Sequence, residues 1–291
     1  MLEKIIDFFC ELAEKLPLEC MEYHFMQMAL LAILLIAPLT AVAGVQVVNY
    51  RMAFFADTIG HSAFAGAALG LILLGANGPA WMMPLLALLI GWTVMYLKRA
   101  SKLASDTAIG IVFAFIVSGG LLLTGSDHEL THLAQTFIFG DILLADYHDI
   151  AVLALLAALY SIFNLCFFNT LQLIAVDEDL ARAHGCKVRI CCYLHISLLA
   201  LITILCVKTV GVLLVSALLT VPAATARNLT TKANRTVIYS ALIGLFCGIT
   251  GLLISVQEDI NTATGATIVM LNCVVFALSL PIKYLRKKFE R

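Results

Sequence analysis

Apolar residues fall in long blocks along the chain, separated by short polar clusters, and the blocks have the length of a membrane crossing. Nine can be drawn, at about 25–48, 52–76, 79–97, 106–124, 149–168, 190–207, 210–226, 236–256 and 266–282. A hydrocarbon core about 30 Å thick needs roughly 20 residues of helix. In lipid, a helix satisfies its own backbone hydrogen bonds. The pattern therefore predicts an all-α, polytopic membrane protein. Only Lys208 and Thr209 separate the sixth block from the seventh, so eight crossings are an alternative to nine. Residues 23–291 read as one transmembrane domain, with no space for a soluble catalytic domain.

Residues 1–22 have a different pattern. Glu3, Asp7, Glu11, Glu14, Glu19 and Glu22 stand against Lys4 and Lys15, and no basic stretch precedes the apolar part. This is not a signal peptide. It reads as an acidic, amphipathic interfacial helix ending near Pro17.

Composition sharpens the class. The 291 residues are 62% hydrophobic and 13% charged, where soluble domains average about 45–50% and 25%. That excludes a soluble enzyme, a disordered tail and a nucleic-acid binder. The net charge of −1 conceals a partition. With Lys98, Arg99 and Lys102 placed in the cytosol and the crossings alternating, 15 of the 18 basic residues fall on the cytosolic side. The bias of Lys and Arg toward the cytosol then sets the amino terminus outside and the carboxyl terminus inside.

Ionisable residues within a crossing are the first candidates for function. The second block is apolar apart from Asp57 and His61. Spaced by four, they share a helix face, and a carboxylate with an imidazole can bind a divalent cation. With a helix starting at Met52, they would lie roughly 8 and 14 Å inside it. The structural alternative has Asp57 capping a helix that begins at Thr58, with His61 in the core. Gly66 and Gly70 follow on the same helix, a small-xxx-small spacing that permits close helix approach in lipid. Were that approach a two-fold dimer, two Asp57 and two His61 would converge on one cation.

Three further segments carry possible chemistry. His128-Glu129-Leu130-Thr131-His132 has the H-E-x-x-H form of a zinc protease helix, but no third-ligand motif accompanies it. Cys186, Cys191 and Cys192, with His184 and His195, are a possible metal cluster whose spacing matches no zinc template. Asp177, Glu178, Asp179, Arg182 and Gly185 outline a short cytosolic helix with acids first, a base later and glycine after its end. No G-x-x-x-x-G-K-[ST] phosphate loop occurs, so any ATP-driven function needs a partner subunit as its motor.

The segment Asn49–Gly66, with Arg51-Met52, Asp57 and His61, resembles the corresponding segment of ZnuB-like permeases. These are the membrane subunits of ABC importers for zinc, manganese or iron(II). Ser105–Gly110, Phe139–Leu143, Asp177–Gly185, Val210–Arg227 and Thr264–Val269 resemble family segments in the same order. The resemblance runs from about 25 to 282. It implies a homodimer of permeases in the bacterial-type cytoplasmic membrane, docked on cytosolic P-loop ATPase subunits. An extracytoplasmic solute-binding protein would deliver the cation. It further implies that Asp57 and His61 line the cation route, that 177–185 couples to the ATPase, and that the chain holds no permanent cofactor. ATP is used by the partner, and the chain performs no covalent chemistry. Zinc is the first expectation because of the imidazole, with manganese and iron next.

Overall fold

The computed structural model describes residues 22–101, 103–125, 142–144, 146–257 and 262–289, together with Ile6, Phe9 and Cys10. Ten α-helices are bounded within residues 22–289: α1 (His24–Asn49), α2 (Phe55–Leu74), α3 (Gly78–Ser101), α4 (Ser105–Thr124), α5 (Tyr147–Val176), α6 (Glu178–Ala183), α7 (Val188–Val210), α8 (Val212–Leu229), α9 (Ala233–Ser255) and α10 (Thr264–Phe289). Among the described residues, nine helices are long and apolar enough to cross a membrane, all but α6. The polytopic all-α reading therefore holds, with nine candidate crossings among the described residues. Of the acidic amino-terminal segment, Ile6, Phe9 and Cys10 are helical. Ile6 and Cys10, one turn apart, are buried with Met28 and Ile150.

Two compact units divide the chain. One comprises 1–45, 141–159 and 217–291, the other 46–140 and 160–216, so the divisions fall within α1, α5 and α8. In the first unit, α9 packs on α1 through glycine. Gly244 sits against Ala41 and the Ala37 carbonyl, and Gly248 against Ile33. The Ser240 hydroxyl donates to the Ala41 carbonyl at 2.8 Å. α10 packs on α9 where Gly251 admits Ile268, and Asn228 of α8 donates to Ser279 Oγ at 2.9 Å. Small residues that let backbones approach, with polar side chains bonding across helices, are what association in lipid requires, because apolar burial alone gives no driving force there.

The second unit holds α2, α3, α4, α6 and α7. Here the Gly66–Gly70 spacing has a definite partner. A Cβ on Gly66 would lie 3.0 Å from Met83 Cα, and one on Gly70 would lie 2.5 Å from the Gly78 carbonyl carbon. This small face of α2 is filled by α3 of the same chain, so it is not the two-fold contact anticipated from the sequence. The packing of α2 on α3 consumes it.

Two breaks differ from the hydropathy pattern. α7 runs through Lys208 and Thr209 and ends at Gly211, whose φ of 83° only glycine adopts without strain. A single residue thus separates two crossings. α5 extends to Val176, eight residues past the expected end, because its polar extension is bonded. Asn49 Nδ2 donates to Gln172 Oε1 at 3.1 Å, and the Tyr50 hydroxyl donates to the Leu171 carbonyl at 3.0 Å. Burial pushes the Tyr50 phenol well above its ordinary pKa, so it remains a neutral donor.

Candidate functional site

The residues with cation chemistry meet near the amino-terminal ends of two helices. α2 begins at Phe55, not Met52, so Asp57 lies in its first turn rather than deeper along the crossing. At 1.5 Å per residue, Asp57 is about 3 Å and His61 about 9 Å from the helix start. Nor is Asp57 a cap: Phe54 holds that position and makes no side-chain cap bond. A carboxylate in a first turn is favoured by the helix dipole by about 0.3–1 kcal/mol, which offsets part of its cost near lipid. Asp57 and His61 are both half-buried. Asp57 lies near enough to interact electrostatically with both His61 and the Ser216 side chain of α8. Gly60, between them, allows the approach of Val212: a Cβ there would fall 2.6 Å from its methyl group. The His61 ring stands edge-on to Phe113 of α4, with centroids 5.3 Å apart and planes at 80°.

Asp57 and His61 open into a cleft of about 580 Å³, whose walls include Thr58 of α2 and Asp106, Thr107 and Phe113 of α4. Asp106 lies in the first turn of α4 and is exposed. Two helix amino termini, each bearing an aspartate, thus share one cleft. Sequence reasoning identified Asp57 and His61 but not Asp106, Thr107 or Ser216 as site residues. Asp106 carried a signal, an acid at the very start of an apolar block, but that signal also marks an ordinary first-turn acid. Nothing in the sequence pairs Ser216 with Asp57, 159 positions earlier.

The donors are sparse. Among the described residues, no three His, Cys, Asp or Glu side chains gather closely enough to hold a metal ion. This overturns the cysteine–histidine cluster. His184 is exposed at the end of α6, its Nδ1 2.9 Å from the Leu180 carbonyl. The buried His195 ring instead faces aromatic residues, 5.7 Å from Tyr50 and 6.3 Å from Phe163. His128, Glu129 and His132 lie outside the described residues, as does Asp141.

The short helix expected at 177–185 is present as α6. Asp177 caps it, its carboxylate accepting from the backbone N–H of Asp179 at 2.8 Å and of Leu180 at 3.1 Å. Arg182 pairs with Glu178 at 3.1 Å and Asp179 at 2.8 Å. Gly185, at φ 76°, ends the helix by donating to the Arg182 carbonyl at 2.9 Å. Glu178 also accepts from Arg99, in the last turn of α3, at 3.2 Å. The helix is therefore fastened to the end of a membrane crossing.

The described residues thus combine apolar crossings, a cleft lined by carboxylate and imidazole side chains and a capped helix tied to the end of one crossing. The model of the ABC 3 transport family matches residues 22–283. The chain belongs to this family. Within it, the chain is 30% identical over 252 residues to the high-affinity zinc uptake system membrane protein ZnuB of Haemophilus influenzae, covering 87% of this chain and 95% of that protein. It is 32% identical over 275 residues to the manganese import system permease protein ScaB of Streptococcus gordonii, covering 92% and 96%. Among solved structures it resembles PsaBC from Streptococcus pneumoniae in complex with Fab. That match has a TM-score of 0.75 at 28% identity and covers 94% of this chain and 95% of that one. As an ABC 3 transport family member with nine long apolar helices among its described residues, the chain is a multi-pass integral membrane protein.

Proposed function

We propose that this chain is the membrane-spanning permease subunit of an ATP-driven importer of divalent transition-metal cations, zinc first and manganese or iron next. The observation that carries this reading is the cleft where Asp57 and His61 share a face beside Asp106. It offers imidazole and carboxylate donors, a set that suits borderline divalent cations. The described residues of one chain supply too few close donors to enclose a cation. Two copies, each presenting Asp57 and His61, supply two nitrogens and two or more oxygens, so the working unit is a homodimer. The small face of α2 is occupied, so that dimer is built on other surfaces.

The cation must also be released. The partial positive charge at the starts of α2 and α4 weakens the hold of Asp57 and Asp106 on a cation, which suits a transient station. Residues 23–291 act as one permease domain. A solute-binding protein delivers the cation from outside. A cytosolic P-loop ATPase docks on α6 through Asp177, Glu178, Asp179 and Arg182, with Gly185 fixing the exit of that helix. ATP binding and hydrolysis in that partner move α6, and the Arg99–Glu178 link passes the motion to α3. The crossings then alternate between outward- and inward-open arrangements, and the chain itself breaks no covalent bond.

Asp57→Ala tests the reading. Zinc and manganese accumulation should both fall to the background of a strain lacking the permease, while the ATPase still co-purifies. Normal accumulation of both metals would sink the site.

A further inference from the structure

A second concavity lies away from the cation cleft, between α3 and α7. Its α3 wall is formed by Leu89, Trp92 and Tyr96, which the helical repeat places on one face. Its α7 wall is formed by Arg189, Tyr193 and Ser197, also one face. The groove is open and largely apolar, with a volume of about 710 Å³. Trp92 is 45% exposed and Tyr96 65% exposed. At one end the Trp92 indole N–H donates to Ser197 Oγ at 2.8 Å, and that hydroxyl donates to the Tyr193 carbonyl at 2.7 Å. The Trp92 and Ser197 donors are therefore satisfied, which leaves a largely apolar lining. At the other end stands Arg189, exposed and in no ion pair with any described residue.

We propose that this groove binds an anionic phospholipid of the cytosolic leaflet. Charge and dimension argue for that occupant. Arg189 lies at the end that the distribution of basic residues assigns to the cytosol, as do Lys98 and Arg99 in the last turn of α3. Arg99 stacks over the Tyr193 ring at 5.9 Å but is committed to Glu178, which leaves Arg189 as the cation lining the groove among the described residues. Basic pockets between crossings on the cytosolic side suit lipid phosphates. Tyr96 and Tyr193 stand where aromatic rings meet headgroups and glycerol. From Arg189 to Ser197 is eight residues, about 12 Å along the helix. That is most of one leaflet's half of a core about 30 Å thick. A lipid with its phosphate on Arg189 would lay the upper part of an acyl chain down to the Trp92–Ser197 bond.

The chain has two tryptophans, and Trp81, the other, is 77% exposed near the opposite end of α3. The full chain with Trp81→Phe therefore reports from the groove alone. It is reconstituted in vesicles containing increasing fractions of phosphatidylglycerol or phosphatidylcholine with brominated tails. Trp92 should be half-quenched at about fivefold less brominated phosphatidylglycerol than phosphatidylcholine, the preference expected of one basic residue near a membrane surface. Arg189→Gln should remove that preference and Arg189→Lys should keep it. Lys232→Gln, an exposed base in the other unit, should also leave it intact. Equal quenching by the two lipids in the parent overturns the proposal, as does a preference that survives Arg189→Gln. Loss of the preference in Lys232→Gln would also overturn it, by showing that general surface charge produces it.

Discussion

At the scale of single residues, position along a helix decides what an aspartate can do. Asp57 and Asp106 are both first-turn acids, stabilised by the same dipole, yet only Asp57 has a histidine one turn on and Ser216 within reach. Their contributions to transport should differ accordingly. Asp106→Asn should reduce metal uptake about tenfold, the size of effect seen when a supporting group near a metal site is lost, without the complete loss expected of Asp57→Ala. Radioactive zinc and manganese uptake in cells decides this, and a wild-type rate in Asp106→Asn would remove that carboxylate from the route. The sequence made Asp57 and His61 legible because they are the only carboxylate–histidine pair within an apolar block. It left Asp106 and Ser216 unread as site residues, because their meaning lies in contacts between helices distant in sequence.

At the scale of elements, polar bonding and close packing shifted what hydropathy alone laid out. α5 was legible in its apolar part and invisible in its last two turns, where Asn169 and Gln172 interrupt the apolar block and bonds to α1 and Tyr50 sustain the helix. The Gly66–Gly70 face was legible as a packing surface, but its partner was not. Gly70→Val should put its new side chain into the Gly78 backbone and destabilise the chain by about 1–3 kcal/mol. A thermal unfolding midpoint unchanged from wild type would contradict the α2–α3 contact. α6 was readable nearly to the residue, because capping chemistry is local. A six-residue helix has little stability from propensity alone, so it depends on Asp177, whose loss costs about 1 kcal/mol. It depends also on Gly185, where proline can neither adopt φ 76° nor donate to Arg182. Arg182→Glu and Gly185→Pro should each lower the amount of ATPase co-purified from the membrane while leaving the permease level unchanged. Undiminished co-purification would refute a docking role for α6.

At the scale of the whole molecule, the partition of basic residues makes a claim that labelling can test. In a background without cysteine, Asn77→Cys should react with an impermeant maleimide in intact cells, and Lys232→Cys only after the membrane is opened. The reverse pattern would invert the orientation and move the Arg189 end of the groove out of the cytosolic leaflet. The single glycine between α7 and α8 has a consequence for how this protein can be handled. Where most polytopic chains offer a loop for an epitope tag, a protease site or a fused reporter, this one has no slack at residue 211. An insertion there should be far less tolerated than one at the polar turn before Lys232, and natural variation in length should collect at the turns rather than at that joint.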